Sequence, residues 1–197
     1  MMTVVIKYNA GNVQSVMCAL KRLGIEAVLS DDEHLIRSAD HVIFPGVGEA
    51  GSAMSYLEEK GMVDIIRGLR MPFLGICLGM QLLSSFSEEG SAKCLDIIPV
   101  GIKLFERNRG YKIPHIGWNN VSFETDCPLF RGIGKDSWFY FVHSYYATLS
   151  DYTIARTDYD GITFSSALSR DNFYGVQFHP EKSGDAGLKL LKNFLEM

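Results

Sequence analysis

The sequence predicts an α/β fold: an open, mostly parallel sheet flanked by helices, with an added mixed or antiparallel strand region. Three observations predict it. Up to Cys77, short β-branched runs alternate with segments of helical apolar spacing, the pattern of parallel strands joined by crossover helices. From Val100 onward, strand-like runs follow one another with turn signals between them. The chain then closes on one amphipathic segment.

In order, "TVVIKY" (3–8) is β-branched and strand-like. "GNVQSVMCALKRLG" carries Val13, Val16, Met17, Leu20 and Leu23 at helical spacing, and Gly24 closes it. "EAVLS" and "HVIFPG" read as the second and third strands. "EAGSAMSYLEEKG" and "MVDIIRGL" read as helices, and "PFLGI" as a fourth buried strand ending at Cys77. Ligands of such sheets bind beyond the carboxyl ends of the strands. The turns in "VIFPGVGEAG" and "FLGICLGM" are therefore expected to face one crevice. In the second half, "VGIKLFE", "NNVSFE", "SWFYFVHSYYAT", "YTIARTD", "ITFSSALSR" and "FYGVQFHP" are strand-like. "SGDAGLKLLKNFLEM" is a final helix with Leu188, Leu191, Phe194 and Leu195 on one face. There is no linker, repeat or low-complexity tract, so residues 1–197 are expected to form a single domain.

Composition narrows the function. With 197 residues, 47% of them hydrophobic and 21% charged, the chain can bury a core and is not of the disordered class. Net charge is −4 and no dense Lys/Arg run occurs, which gives no nucleic-acid footprint. No apolar run approaches ~18 residues, so no membrane span is expected, and the start lacks the features of a signal peptide. Cys18, Cys77, Cys94 and Cys127 are widely spaced with no CxxC, which fits free thiols in the cytoplasm rather than a zinc site or redox pair. No metal or cofactor is expected.

"GICLG" (75–79) has the form G-x-C-x-G. Its serine counterpart marks a strand-to-helix turn that lifts a nucleophile above a sheet. At the start of the following helix a thiolate would meet free backbone N–H groups and the positive dipole end. Alone, the motif reads equally as small residues that let a buried strand pack. "QFHPEKS" (177–183) adds a base. Pro180 biases His179 to extended backbone, where residues two apart share a side. His179 and Glu181 then project together, one as base and one as its orienting carboxylate. The N–H of Leu78, and that of Val47 in the turn "PGVGE", would serve an oxyanion.

Taken together, "PGVG", "GICLGMQLL" and "HPEKS" resemble the class I, triad-type glutamine amidotransferases, and the resemblance covers nearly the whole chain. More narrowly, "YNAGN" (8–12), "IPHIGWNNV" (113–121), "FVHSYY" (141–146) and Lys182 are similar to the glutaminase subunits of imidazole glycerol phosphate synthase. The resemblance implies hydrolysis of L-glutamine to glutamate and ammonia through a cysteinyl thioester. It implies transfer of the ammonia to a cyclase partner, a β/α barrel, in a heterodimer serving histidine biosynthesis. By residue, it implies Cys77 as nucleophile, His179 as base and acid, Glu181 as its orienter, and Val47 and Leu78 as oxyanion donors. Gly48, Gln81, Glu89 and the backbone of Ser144 and Tyr145 would hold glutamine. Asn12, Trp118 and Lys182 would lie near the partner.

A glutaminase serving another synthase and a silent regulatory subunit are the competing readings; "PHIGWN" and an intact Cys77, His179 and Glu181 weigh against them. His34 and His41 read as surface or satisfied histidines, His115 as a support for the partner-facing turn, and the other three cysteines as structural thiols. "WFYFVHSYY" reads as core strand.

Overall fold

A computed structural model of the chain describes residues 2–8, 12–106, 112–123 and 126–197. Residues 9–11 of "YNAGN" and Glu124 of "NNVSFE" lie outside the described residues.

The first half runs β1 (Thr3–Ile6), α1 (Val13–Arg22), β2 (Val28–Ser30), α2 (Glu33–Arg37), β3 (His41–Gly46), α3 (Ala50–Glu59), α4 (Met62–Arg67), β4 (Phe73–Cys77) and α5 (Leu78–Leu82). The short helix α2 is the one element here without a counterpart in the sequence reading. The Asp32 side chain caps it, accepting from the Leu35 N–H at 3.0 Å. The second half runs β5 (Phe86–Ser87), β6 (Ala92–Lys93), β7 (Gly101–Leu104), β8 (His115–Asn120), β9 (Ser122–Phe123), β10 (Trp138–His143), β11 (Tyr145–Ala147), β12 (Thr153–Tyr159), β13 (Ile162–Arg170), β14 (Phe173–Val176) and α6 (Gly184–Leu195).

The main sheet has the order β2-β1-β3-β4-β14-β13-β11-β7-β5-β6, with β12 and β9 branching from β13. The five strands from β2 to β14 are parallel. Beyond them β13, β11 and β7 pair antiparallel. Alternation along the strands sends Val4, Ile6 and Phe44 to one core, and Val5, Ile43 and Leu74 to the other. Helices α3 and α4 close the first core, α1 and α6 the second. On α6 the buried face is Leu190, Leu191, Phe194 and Leu195. Leu188, expected on that face, is only half-buried, because Gly187 packs onto the Pro180 carbonyl and sets the inward face one position away. Among the described residues no helix is long and apolar enough to cross a membrane.

The pair β8–β10 is a separate antiparallel ribbon in which Tyr140 stands opposite Trp118 and Val142 opposite Ile116. Its inner face carries His115, Phe139, Phe141 and His143, all buried; its outer face leaves Ile116, Trp118 and Trp138 exposed. This is the period-two alternation of a strand with one wet face.

Candidate active site

Parallel register assembles the site. Gly46 at the end of β3 lies beside Cys77 at the end of β4, and Ile76 lies beside Val176 of β14. The two strand-end turns thus face one crevice, and Gln177 follows directly beside Cys77.

Cys77 has φ 54° and ψ −108°, a backbone that side chains seldom adopt. Packing holds it there. A Cβ on Gly75 would stand 2.5 Å from the Gly79 carbonyl oxygen, and one on Gly79 would overlap the Phe44 carbonyl. The motif therefore serves close packing and the elbow together. Helix α5 has only five residues, so the dipole expected to face the thiol is a fragment of one. The Leu78 N–H remains as a first-turn donor.

His179 is extended (φ −100°, ψ 95°), as expected from the proline that follows it. Glu181 is not: Pro180–Lys182 form a 3₁₀ turn, for which proline's fixed φ is pre-set. The turn still brings Glu181 Oε1 to 2.7 Å from His179 Nδ1, with both side chains buried. Burial alone would depress the His179 pKa, but the Cys77 sulfur and the Glu181 carboxylate outweigh it and hold it well above the ordinary imidazole range. His179 Nε2 has no hydrogen-bond partner within the described residues. Asn12, expected near a partner, donates from Nδ2 to Glu181 Oε1 at 2.8 Å. Its side chain accordingly does not cap α1, and its backbone sits at φ 70°.

A cleft of about 300 Å³ opens over Cys77, walled by Val47, Gly48, Leu78, Gln81, Glu89, Ser144 and Tyr145, together with Pro114, Val142 and His143. Every residue expected to contact oxyanion or substrate lines it. Gly48 has φ 127° with open space around its α-carbon, so the turn needs glycine for conformation rather than for room. Burial raises the Glu89 pKa, which the Ala50 N–H, 2.9 Å from Oε2, partly offsets, while Glu49 adds to the rise. A cation in the cleft would relieve both burial and repulsion.

Gln81 spends both amide hydrogens internally, at 3.0 Å to the Tyr145 carbonyl and 2.9 Å to Gln177 Oε1. Only its Oε1, an acceptor, is left for a ligand. The Tyr145 carbonyl also accepts from His143 Nδ1 at 2.7 Å. With both lone pairs engaged, that carbonyl is wall rather than substrate contact. A carbonyl can only accept, so His143 donates from Nδ1 and accepts at Nε2, where His115 Nδ1 lies at 2.9 Å. Burial lowers both rings, His143 to about 3 and His115 to about 4.

Sequence reasoning misses three residues here. Gln177 stands two before His179, the very spacing applied to Glu181. His143 is hidden in what reads as a core strand. Tyr8 has a buried hydroxyl without a hydrogen-bond partner, set against Gly46; burial and the Cys77 sulfur push its pKa far up. On the outer ribbon, Trp118 lies edge-on to Tyr140 and the Lys182 ammonium sits 5.7 Å above the same ring. His41, expected at the surface or satisfied, is buried edge-on against Phe194, and Cys18 is exposed rather than structural. Among the described residues no group of three or more His, Cys, Asp or Glu is arranged to hold a metal ion.

A cysteine on a strained elbow, a histidine–carboxylate pair and a glycine turn at the ends of adjacent parallel strands suit acyl transfer from an amide. The chain belongs to the class-I glutamine amidotransferase family, whose model matches residues 4–197. The fold agrees: a glutamine amidotransferase from Thermotoga maritima superposes with a TM-score of 0.69 at 17% identity, over 100% of this chain and 96% of that one. Within the family the chain falls among the HisH subunits of imidazole glycerol phosphate synthase. It is 55% identical to that subunit from Bacteroides fragilis, with 100% of each covered, and 51% identical to the one from Bacteroides thetaiotaomicron, again with 100% of each covered.

Proposed function

We propose that Cys77, His179 and Glu181 carry out the glutaminase reaction of this chain, and that residues 1–197 act as one glutaminase domain. The chain is the glutaminase subunit of an imidazole glycerol phosphate synthase, a glutamine amidotransferase of histidine biosynthesis. The observation that carries the residue assignment is the buried 2.7 Å contact between His179 and Glu181 beside the strained Cys77. Glu181 fixes the proton on Nδ1, which leaves Nε2 to take the thiol proton. The thiolate attacks the side-chain amide carbon of glutamine, and the oxygen takes up the negative charge between the N–H groups of Leu78 and Val47. Collapse expels ammonia, which takes its proton from His179. Water, deprotonated by His179, then cleaves the thioester to glutamate.

In the substrate complex, Glu89 and Gln81 Oε1 receive the substrate's ammonium, and Gly48, Ser144 and Tyr145 shape the wall. Ammonia passes to the cyclase, which is a β/α barrel in a cytoplasmic heterodimer. The barrel docks over the ribbon face that carries Trp118 and Lys182, with Asn12 close behind. Exposed aromatic side chains continuous with the site support this face as the seam. The test is Cys77→Ala in the complex with the cyclase. Glutamine-dependent synthesis disappears while synthesis from ammonium salt persists; retained glutaminase activity overturns the assignment.

A further inference from the structure

The sulfur of Cys77 has a neighbour that the mechanism above does not use. Gln177 is fully buried, and its Nε2 lies 3.6 Å from Cys77 Sγ. The sulfur's other hydrogen bond, to the Val142 carbonyl, is longer at 3.9 Å and needs the thiol proton.

The orientation of the Gln177 amide is forced. The Tyr145 carbonyl accepts only, so Gln81 must turn its NH₂ group towards it. The same NH₂ lies 2.9 Å from the Gln177 side chain, which must present oxygen there. The remaining end of Gln177, facing the sulfur, is therefore the NH₂ donor. Its backbone is fixed too, by the Gln177 N–H to the Ser166 carbonyl at 2.9 Å. The Tyr145 carbonyl that starts this sequence is itself held by His143, His143 by His115, and Nε2 of His115 by the Asn119 amide at 3.4 Å. Asn119 belongs to the ribbon strand β8.

We propose that Gln177 is a further functional residue of the glutaminase reaction: its amide N–H donates to the Cys77 sulfur, favours the thiolate, and aims it at the substrate. The aim is set through Gln81 and Tyr145 by the ribbon wall. Hydrogen bonds to ionised groups are the stronger kind, so the donor favours the thiolate over the neutral thiol. It replaces part of what a longer helix after Cys77 would have supplied. The titratable groups that act on the sulfur from packed elements are His179 after β14, itself held by Glu181, and Tyr8 after β1. Of these, His179 shares the proton; Gln177 adds a donor that never titrates.

The proposal rests on Cys77 being the nucleophile, and its test separates the two. The pH dependence of Cys77 alkylation by iodoacetamide is read by peptide mass spectrometry on the full chain in its complex. Gln177→Met keeps the volume and removes the donor; its alkylation midpoint moves up by about one pH unit. Its kcat falls about tenfold with KM little changed. Gln81→Met, which frees the amide but leaves the donor, moves the midpoint by less. An unmoved midpoint in Gln177→Met, or a larger shift in Gln81→Met, overturns the role of Gln177 and leaves the nucleophile intact. Glutaminase activity in Cys77→Ala overturns the nucleophile itself. The wild-type chain gives an arm that needs no variant at Gln177. With ¹⁵N-glutamine labelling, the Gln177 side-chain amide signals shift with the alkylation midpoint of Cys77. Signals blind to that titration overturn the proposal.

Discussion

The two walls of the cleft both bury histidine, and they do opposite things with it. On the parallel-strand wall His179 faces a carboxylate and a sulfur, and its pKa is raised. On the ribbon wall His143 faces a carbonyl and another imidazole, and burial drives it down to about 3, with His115 at about 4. Burial is common to all three rings, so burial does not decide the charge; the partner does. One wall pairs its histidine with a carboxylate and a sulfur, the partners proton transfer would need. The other holds its protons in one fixed order and acts as a scaffold of dipoles.

The strongest way to break this contrast is to remove one ring from each wall. His179→Ala loses at least about 10⁴-fold in kcat for glutamine. Glu181→Ala loses less, because the base survives without its orienter. His143→Gln, which can still donate to the Tyr145 carbonyl, loses less than about tenfold. Steady-state glutaminase assays on the complex decide it. A His143→Gln loss as deep as that of His179→Ala would mean that both walls move protons.

Next in size is the effect of the docked partner on the oxyanion side. The proposed donor, the Val47 N–H, lies between Gly46 and Gly48. Gly48 at φ 127°, in open space, gives this glycine-flanked turn the backbone freedom to aim that N–H towards or away from the substrate oxygen. An absent oxyanion donor costs about 10²–10³-fold in kcat. Docking the cyclase with its nucleotide is expected to raise kcat by at least about that factor, and to change KM far less, because the charge it serves exists only in the transition state. Lys182→Ala and Asn12→Ala weaken the stimulation while Cys77 stays reactive to a thiol reagent. Asn12→Ala also lowers the unstimulated rate, since Asn12 hydrogen-bonds Glu181. A lone chain already working at the complex's rate, or stimulation confined to KM, refutes this.

The two walls also differ in how far the sequence discloses them. The parallel wall is made by local devices: β-branched runs, glycines at an elbow, a proline that sets the preceding residue. Each leaves a mark at a fixed spacing, so Cys77, His179, Glu181, Val47 and Leu78 can be named before any coordinates. The ribbon wall is made by pairing between strands distant in sequence. Nothing in "PHIGWN" or "FVHSYY" says that His115 and His143 share a hydrogen bond. That follows only from the β8–β10 register, which puts the two opposite each other. Gln177 lies between these cases. Its side-chain direction follows from its spacing to His179, but its partner depends on β14 lying in register beside β4. Asn12 is placed near the partner by resemblance, yet its bond to Glu181 within the site spans most of the chain and has no local signature.

The smallest effect expected is on stability, and it sharpens the contrast without touching catalysis. His115 and His143 have folded pKa values near 4 and 3, against about 6.5 in an unfolded chain. Between those values the unfolded state binds protons that the folded state refuses. Unfolding free energy therefore falls as pH is lowered from about 6.5 towards 4, by up to about 1.4 kcal/mol per pH unit for each histidine. His41, whose pKa burial also lowers, adds in the same direction. The groups around the pair are Asp160, which works to raise His115, and His179, which works to lower His143. His179 has the opposite sign: its folded pKa is raised, so its contribution is fully present below the unfolded value and is lost only as pH rises through the folded one. It adds no slope in the acid window. Urea unfolding at about pH 6, 5.5 and 5, inside that window, measures the slope. His115→Gln keeps a donor for His143 Nε2 and removes one titrating ring, so its slope is shallower by up to about 1.4 kcal/mol per pH unit. Equal slopes in the variant and the natural chain would show that His115 is protonated in the fold, and that the ribbon wall is not the neutral partner of the other.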